Sequence, residues 1–312
     1  MTAMETETRN IEKMVMLEDL STANKYLDLF MGFFIEVIRN HHYDYVKSQR
    51  EADAHILFQM FFSKTMHFQH MLQGASFQTS NVAINRIIDP TLLFTLVRNQ
   101  YECLCLFELI NIIPNSESKK DFLSLIHQVS GLKYRQRFAD NTTLEESIQK
   151  VELEKKEIEE DIERILSSSV YHHLDAKSQN LVRMSLKSKD YQLYFKSENE
   201  IQKLGWRNFA DKFGMKNGGI DNLYTYFCLH AHPSYPSIMQ FRDAFAKSKP
   251  EFINMAIFAS QTFLIFLSVF LVDYMRLFPS IVEEFKKLDA DTQKLLIAYN
   301  DFFREDKYKA TF

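Results

Sequence analysis

The chain has 312 residues, enough for one large or two ordinary domains, and 46% of them are hydrophobic. Gly (7) and Pro (6) are scarce beside 28 Phe, 14 Tyr and 13 Met, which excludes a β-sandwich or barrel of this length, because those folds need many turn formers. A net charge of −4 excludes the basic balance of a general nucleic-acid binder, leaving room only for a local basic patch.

The first ten residues, "MTAMETETRN", are polar and read as a frayed tail; they carry no apolar run behind a basic start, so they do not resemble a secretory signal. From Ile11 to Asn40 apolar residues recur at helical spacing through Leu27, Phe30, Phe34 and Val37. A second helix is expected from Asp44 to Leu72, then a loop from Gln73 to Asn81. Pro90 suits a first helical turn, having no amide hydrogen to lose there, and the helix it opens runs unbroken to Pro114. Ser116 or Ser118 opens a fourth helix to about Phe138. Thr143 and Glu146 form a capping-box pattern for a fifth. In that fifth helix Leu144, Ile148, Val151, Lys155, Ile158, Ile162 and Ile165 make a heptad stripe with one polar member. Two readings stand for it: packing back on the fourth helix as an antiparallel hairpin, or a coiled coil that joins two copies of the chain.

Shorter helices follow. The window "LGWRNFADKFGMKNGGIDN" then holds Gly205, Gly214, Gly218 and Gly219, so the backbone turns there before a helix from Asp221 to His232. Phe252 to Val272 carries no charge and is just long enough to span a bilayer, yet it includes Asn254, Ser260, Gln261, Thr262 and Ser268. The expectation is a buried central helix of a bundle, with membrane association the lesser reading. A C-terminal helix pair includes "ADTQKLLIAYNDFF". The economical architecture is all-α: a bundle over residues 11–278 with a projecting hairpin at about 117–168, and helices of 279–312 packed on the bundle.

Two stretches can carry chemistry. In "LVRNQYECLCLFEL", Arg98 and Glu102 are four apart on one helical face and can pair, within an otherwise apolar helix. Such a pair either fixes helix register as a buried ion pair or faces a ligand. In "YFCLHAHPSYPSI", His230 and His232 project about 200° apart on a helix, so they cannot share one small site there. Pro233 pushes its predecessor out of the α region, which places His232 at the helix C-terminus, where the carbonyl dipole favours an imidazolium. His232, Arg98 and Glu102 are therefore the catalytic candidates. Tyr226 and His230 nearby, and Tyr134, Arg135 and Arg137 of "KYRQRF", are the ligand-binding candidates, the arginines as bidentate anion binders.

No metal site is expected. Glu51 with His55, His67 with His70, and the pairs His41–His42 and His172–His173 do not make the Glu-x-x-His pattern of carboxylate-bridged bundles. No P-loop, dinucleotide fingerprint or nucleophile elbow occurs, and no cofactor is expected. Cys103, Cys105 and Cys228 form neither a disulfide framework nor a zinc pattern, so a reducing cytoplasm is the expected setting.

At these stretches the chain resembles an uncharacterised all-helical bacterial family, a domain of unknown function. Its members carry an Arg-x-x-x-Glu core helix and a later helix with a tyrosine and Ser-x-x-x-His. Arg98 and Glu102 match the first element; Tyr224 or Tyr226, Cys228 and His232 match the second, with Cys228 where serine is usual. The resemblance covers roughly residues 80–275. A looser analogy is to HEPN-type bundles, many of them RNA-cleaving defence effectors, although their Arg-x4–6-His motif is not found on one helix here. That analogy implies an effector acting on RNA or a nucleotide, in which Arg98 and His232 meet from different helices. The alternative is a non-catalytic scaffold or sensor that binds a protein partner or dimerises through residues 144–165.

Overall fold

A computed structural model describes residues 11–139, 144–188, 190–216, 222–246 and 250–312. The expected tail at 1–10, Thr143 of the capping pattern, Gly218, Gly219 and Asp221 lie outside the described residues. The protein is all-α apart from two short hairpins. It divides into two compact units, Met1–Phe107 with Trp206–Phe312, and Glu108–Gly205.

The first unit is built around α10 (Pro250–Leu277), the long apolar helix. α1 (Leu20–His41), α2 (Gln49–Leu72), α3 (Pro90–Phe107) and α12 (Ala290–Phe303), which follows the short α11 (Val282–Lys286), all pack against it. Aromatic rings form much of the seam: Phe61 stacks on Phe270 at 3.7 Å, Phe68 on Phe263 at 4.1 Å, and Phe58 on Tyr274 at 4.3 Å. The helix from Phe252 to Leu277 is long and apolar enough to cross a membrane, but 78% of its apolar window is buried within the protein. Ser260, Gln261 and Thr262 are satisfied internally. Ser260 Oγ donates to the Ala256 carbonyl at 2.8 Å and Thr262 Oγ1 to that of Phe258 at 3.0 Å. Gln261 Oε1 accepts from the Leu17 amide at 2.8 Å. Asp273 and Arg304 are both fully buried and pair at 2.6 Å, while Arg304 also donates to the Phe213 carbonyl from Nε (2.9 Å) and NH2 (2.7 Å). This knot ties the C-terminal segment to residues 210–216. Gly214 there has a φ of 79°, and an added Cβ would fall 1.9 Å from the Tyr308 ring, so only glycine fits.

Helix starts follow their caps. The stretch expected as one helix from Ile11 breaks before Leu20, because the Asp19 side chain caps α1 by accepting from the Thr22 amide. α2 begins at Gln49 rather than Asp44, capped by Ser48. The expected loop at 73–81 is replaced by a hairpin of β1 (Ala75–Gln78) and β2 (Ala83–Ile87), with Phe77 opposite Ile84. Gly74, at φ 69°, makes the entry to it; a Cβ there would meet the Ile87 carbonyl at 2.7 Å.

In the second unit α3 continues as a π-helical turn at Glu108–Ile112, followed by α4 (Glu117–Gln136), α5 (Glu145–Ser167), α6 (Ser169–His173) and α7 (Ala176–Lys187). A small hairpin of β3 (Leu193–Phe195) and β4 (Ile201–Lys203) was not expected from the sequence pattern. Gln128 meets Glu157, and Gln136 meets Glu154, so α5 runs antiparallel to α4. The inward face of α5 is Glu154, Ile158, Asp161 and Ile165, not the whole heptad stripe; Leu144 and Ile148 stay exposed.

Breaking the Asp273–Arg304 pair would strand a guanidinium in a dry site. Asp273→Ala is therefore expected to lower unfolding free energy by about 3–5 kcal/mol in urea titration. A loss below about 1 kcal/mol would show that the knot carries no such weight.

Candidate functional site

The site forms where α3 meets α8 (Leu223–Ala231), two helices in extensive contact within the first unit. α3 presents Arg98 and Glu102 one turn apart. α8 presents Tyr224 and Cys228 one turn apart, with His232 at the next step. The two stripes face each other because their other faces are apolar and point into the core.

Arg98 Nε donates to Glu102 Oε1 at 2.9 Å. Its NH1 lies 2.9 Å from His232 Nε2, and its NH2 lies 3.4 Å from the Tyr224 hydroxyl. The Tyr224 hydroxyl donates to the same Glu102 oxygen at 3.2 Å. The guanidinium also sits 5.4 Å from the centre of the Tyr224 ring. Behind that ring lies Trp206, the chain's one tryptophan, with ring centroids 6.1 Å apart, and the Trp206 carbonyl accepts from Tyr101 at 2.7 Å. Cys228 lies within electrostatic reach of both Arg98 and Tyr224.

Arg98 and Glu102 are about a quarter exposed, at 23% and 25% of their side chains, and His232 is exposed. Burial works against the Arg98 charge, but the Glu102 charge and hydrogen bond outweigh it and raise the guanidinium above its ordinary value. The Tyr224 hydroxyl is pushed well above the usual tyrosine range, first by burial and then by the Glu102 charge. Tyr224 is thus a neutral hydrogen-bonding post at any physiological pH.

His232 caps α8 in the β region (φ −113°, ψ 149°), as the following Pro233 dictates. A guanidinium offers only donors, so His232 Nε2 is placed as the acceptor in the contact with Arg98.

The other candidates lie elsewhere. Tyr226 and His230, one turn apart on α8, face the core. The His230 ring packs 4.7 Å from both Phe94 and Tyr226, and is 5% exposed. In the second unit Arg135 reaches back to the buried Glu154 through Nε at 3.0 Å, and Arg137 sits over the Tyr134 ring at 5.8 Å. Among the described residues no three metal-type side chains converge. Spacing could not choose between Tyr224 and Tyr226. It also missed Trp206 and Tyr101, whose only signal was the lone tryptophan before the glycines.

A model of the DUF5677 family, a family of unknown function, matches residues 89–249, just over half of the chain. The chain belongs to this family. The matched region takes in Arg98, Glu102, Tyr224, Cys228 and His232 together. No curated protein and no solved structure matches the chain.

Burial holds His230 below the ordinary imidazole range, and its Nδ1 has no hydrogen-bond partner among the described residues. Below about pH 6.5 the unfolded chain takes up a proton that the folded chain refuses. This part of the stability is complete above that pH and is lost as the pH falls below it. His230→Phe is expected to flatten the stability profile between about pH 6.5 and 5, with His55, also lowered by burial, keeping its own share. An unchanged profile in thermal melts across that range would contradict the assignment of His230 to the core.

Proposed function

We propose that the Arg98–His232 cluster handles a phosphate group and that the protein acts on RNA or a nucleotide, as a HEPN-like effector in phage defence. The observation that carries this reading is the 2.9 Å contact between Arg98 NH1 and His232 Nε2 on an exposed edge. It joins the two groups such chemistry needs: a fixed cation and an imidazole nitrogen. An anionic oxygen is a stronger acceptor for the guanidinium than an imidazole nitrogen is. A bound phosphodiester would take the NH1 donor and release Nε2 as a general base. For RNA, Nε2 takes the 2′-hydroxyl proton as that oxygen bonds to phosphorus. The P–O5′ bond breaks, the leaving oxygen takes a proton from water, and His232 returns its own to solvent. Arg98 stabilises the charge on the phosphoryl oxygens, while Glu102 and Tyr224 hold its plane. Cys103, Cys105 and Cys228 form no disulfide, which suits a reducing cytoplasm.

The test incubates purified protein with single-stranded RNA and follows cleavage and melting together. His232→Ala and Arg98→Lys are each expected to lose about 10²-fold or more in rate. His232 is exposed, so its variant should melt within about 0.5 kcal/mol of the parent. An inactive parent, or variants as active as it, would defeat the proposal.

A second reading has its own support. Leu144, at the cap of α5, and Ile148 one turn on are 71% and 46% exposed, an apolar surface on an otherwise charged helix. We propose it as a self-association surface, which would make the protein a scaffold or sensor. Leu144→Glu with Ile148→Glu should then convert a dimer to a monomer by light scattering; an oligomeric state indifferent to both changes would count against it.

A further inference from the structure

The turn after His232 carries a feature that the cluster does not use. Tyr235 is 73% exposed, set between Pro233 and Pro236, at the start of α9 (Tyr235–Ala246). Its backbone is pinned to the histidine. The His232 carbonyl accepts from the Ser234 amide at 2.7 Å and from Ser237 Oγ at 3.3 Å. Ser234 Oγ donates to the Leu229 carbonyl at 2.7 Å, and the Ser234 carbonyl accepts from the Ile238 amide at 3.0 Å. Three residues of chain hold Tyr235 within about 10 Å of His232. Exposed apolar neighbours extend the surface: Leu229 at 40% and Ile238 at 55%. From Asn222 to Arg242 there is no acidic residue, and the carboxylate of the cluster, Glu102, is engaged by Arg98 and Tyr224.

We propose that Tyr235 is a base-stacking residue, seating the nucleobase next to the phosphate held at Arg98 and so selecting single-stranded over duplex substrate. The inference rests on the phosphate-handling reading above. An aromatic ring on a rigid turn gives a stacking face without the entropy of ordering a loop. Every nucleobase offers a π-face, so the selection is for unstacked bases rather than for sequence. A paired base is already stacked and cannot reach the ring.

The experiment uses Trp206, whose ring neighbours Tyr224, as the fluorescent reporter of the site in the full chain. Three probes are titrated: a 2′-O-methyl single-stranded decanucleotide that cannot be cleaved, an abasic chain of the same length, and inorganic phosphate. Tyr235→Ala is expected to weaken the base-bearing strand by about 10-fold or more and to leave the abasic chain unchanged. Tyr235→Phe keeps the ring and is expected to keep the affinity. Equal affinities of the parent and Tyr235→Ala for the base-bearing strand would overturn the stacking role. So would equal binding of base-bearing and abasic strands by the parent. In either case the phosphate reading stands as long as Arg98→Lys weakens all three probes. A parent that binds none of them removes both proposals.

Discussion

A helix whose C-terminal half has no solvent face dictates the arrangement of the first unit. From Phe252 to Val272, α10 carries no charge, and between Phe263 and Met275 every side chain is buried. Such a helix must be covered all round or lie in lipid. Here α1, α2, α3 and α12 cover it, and each therefore needs an apolar stripe toward it. Phenylalanine serves that purpose because one planar ring buries a large area and stacks at defined distances. The hydroxyls and amide within α10 bond to carbonyls and an amide of the same unit, so its few polar atoms add no demand for water.

This constraint decides where polarity can go on α3. One face of α3 is committed to α10 and another to α2, and what remains lies against α8. Arg98 and Glu102 sit on that remaining edge. The comparison with Asp273–Arg304 is instructive. That pair is fully buried, bonded to a backbone carbonyl, and joins three segments. Arg98–Glu102 is a quarter exposed, and beside it the Phe94 ring stacks on Phe227 across the α3–α8 contact. The pair also holds the guanidinium plane toward His232.

The helices were legible because their apolar residues recur at 3.6-residue spacing over long runs, and because scarce glycine and proline leave few places to break. The hairpins at 75–87 and 193–203 were not, being too short and too exposed to show a period of two. His232 was legible through Pro233, a purely local rule. The meeting of Arg98 with His232 was legible only as a resemblance, since 134 residues separate them and no spacing rule spans that distance. Arg135 drew attention as an exposed cation, but its partner, Glu154, belongs to a helix whose inward face the heptad pattern misassigned.

The substitution at Cys228 bears on how the cluster stays polarised. A serine hydroxyl at that step would be a strong donor and acceptor beside Tyr224 and would compete for its hydroxyl proton. A thiol is a weak partner in both senses. The Tyr224 hydroxyl therefore donates to Glu102 and leaves the thiol a subordinate contact. Glu102 in turn accepts from both Tyr224 and Arg98 on a single oxygen, which fixes the guanidinium in plane and turns NH1 toward His232. Cys228 thus fits this geometry as a weak neighbour of the Tyr224 hydroxyl.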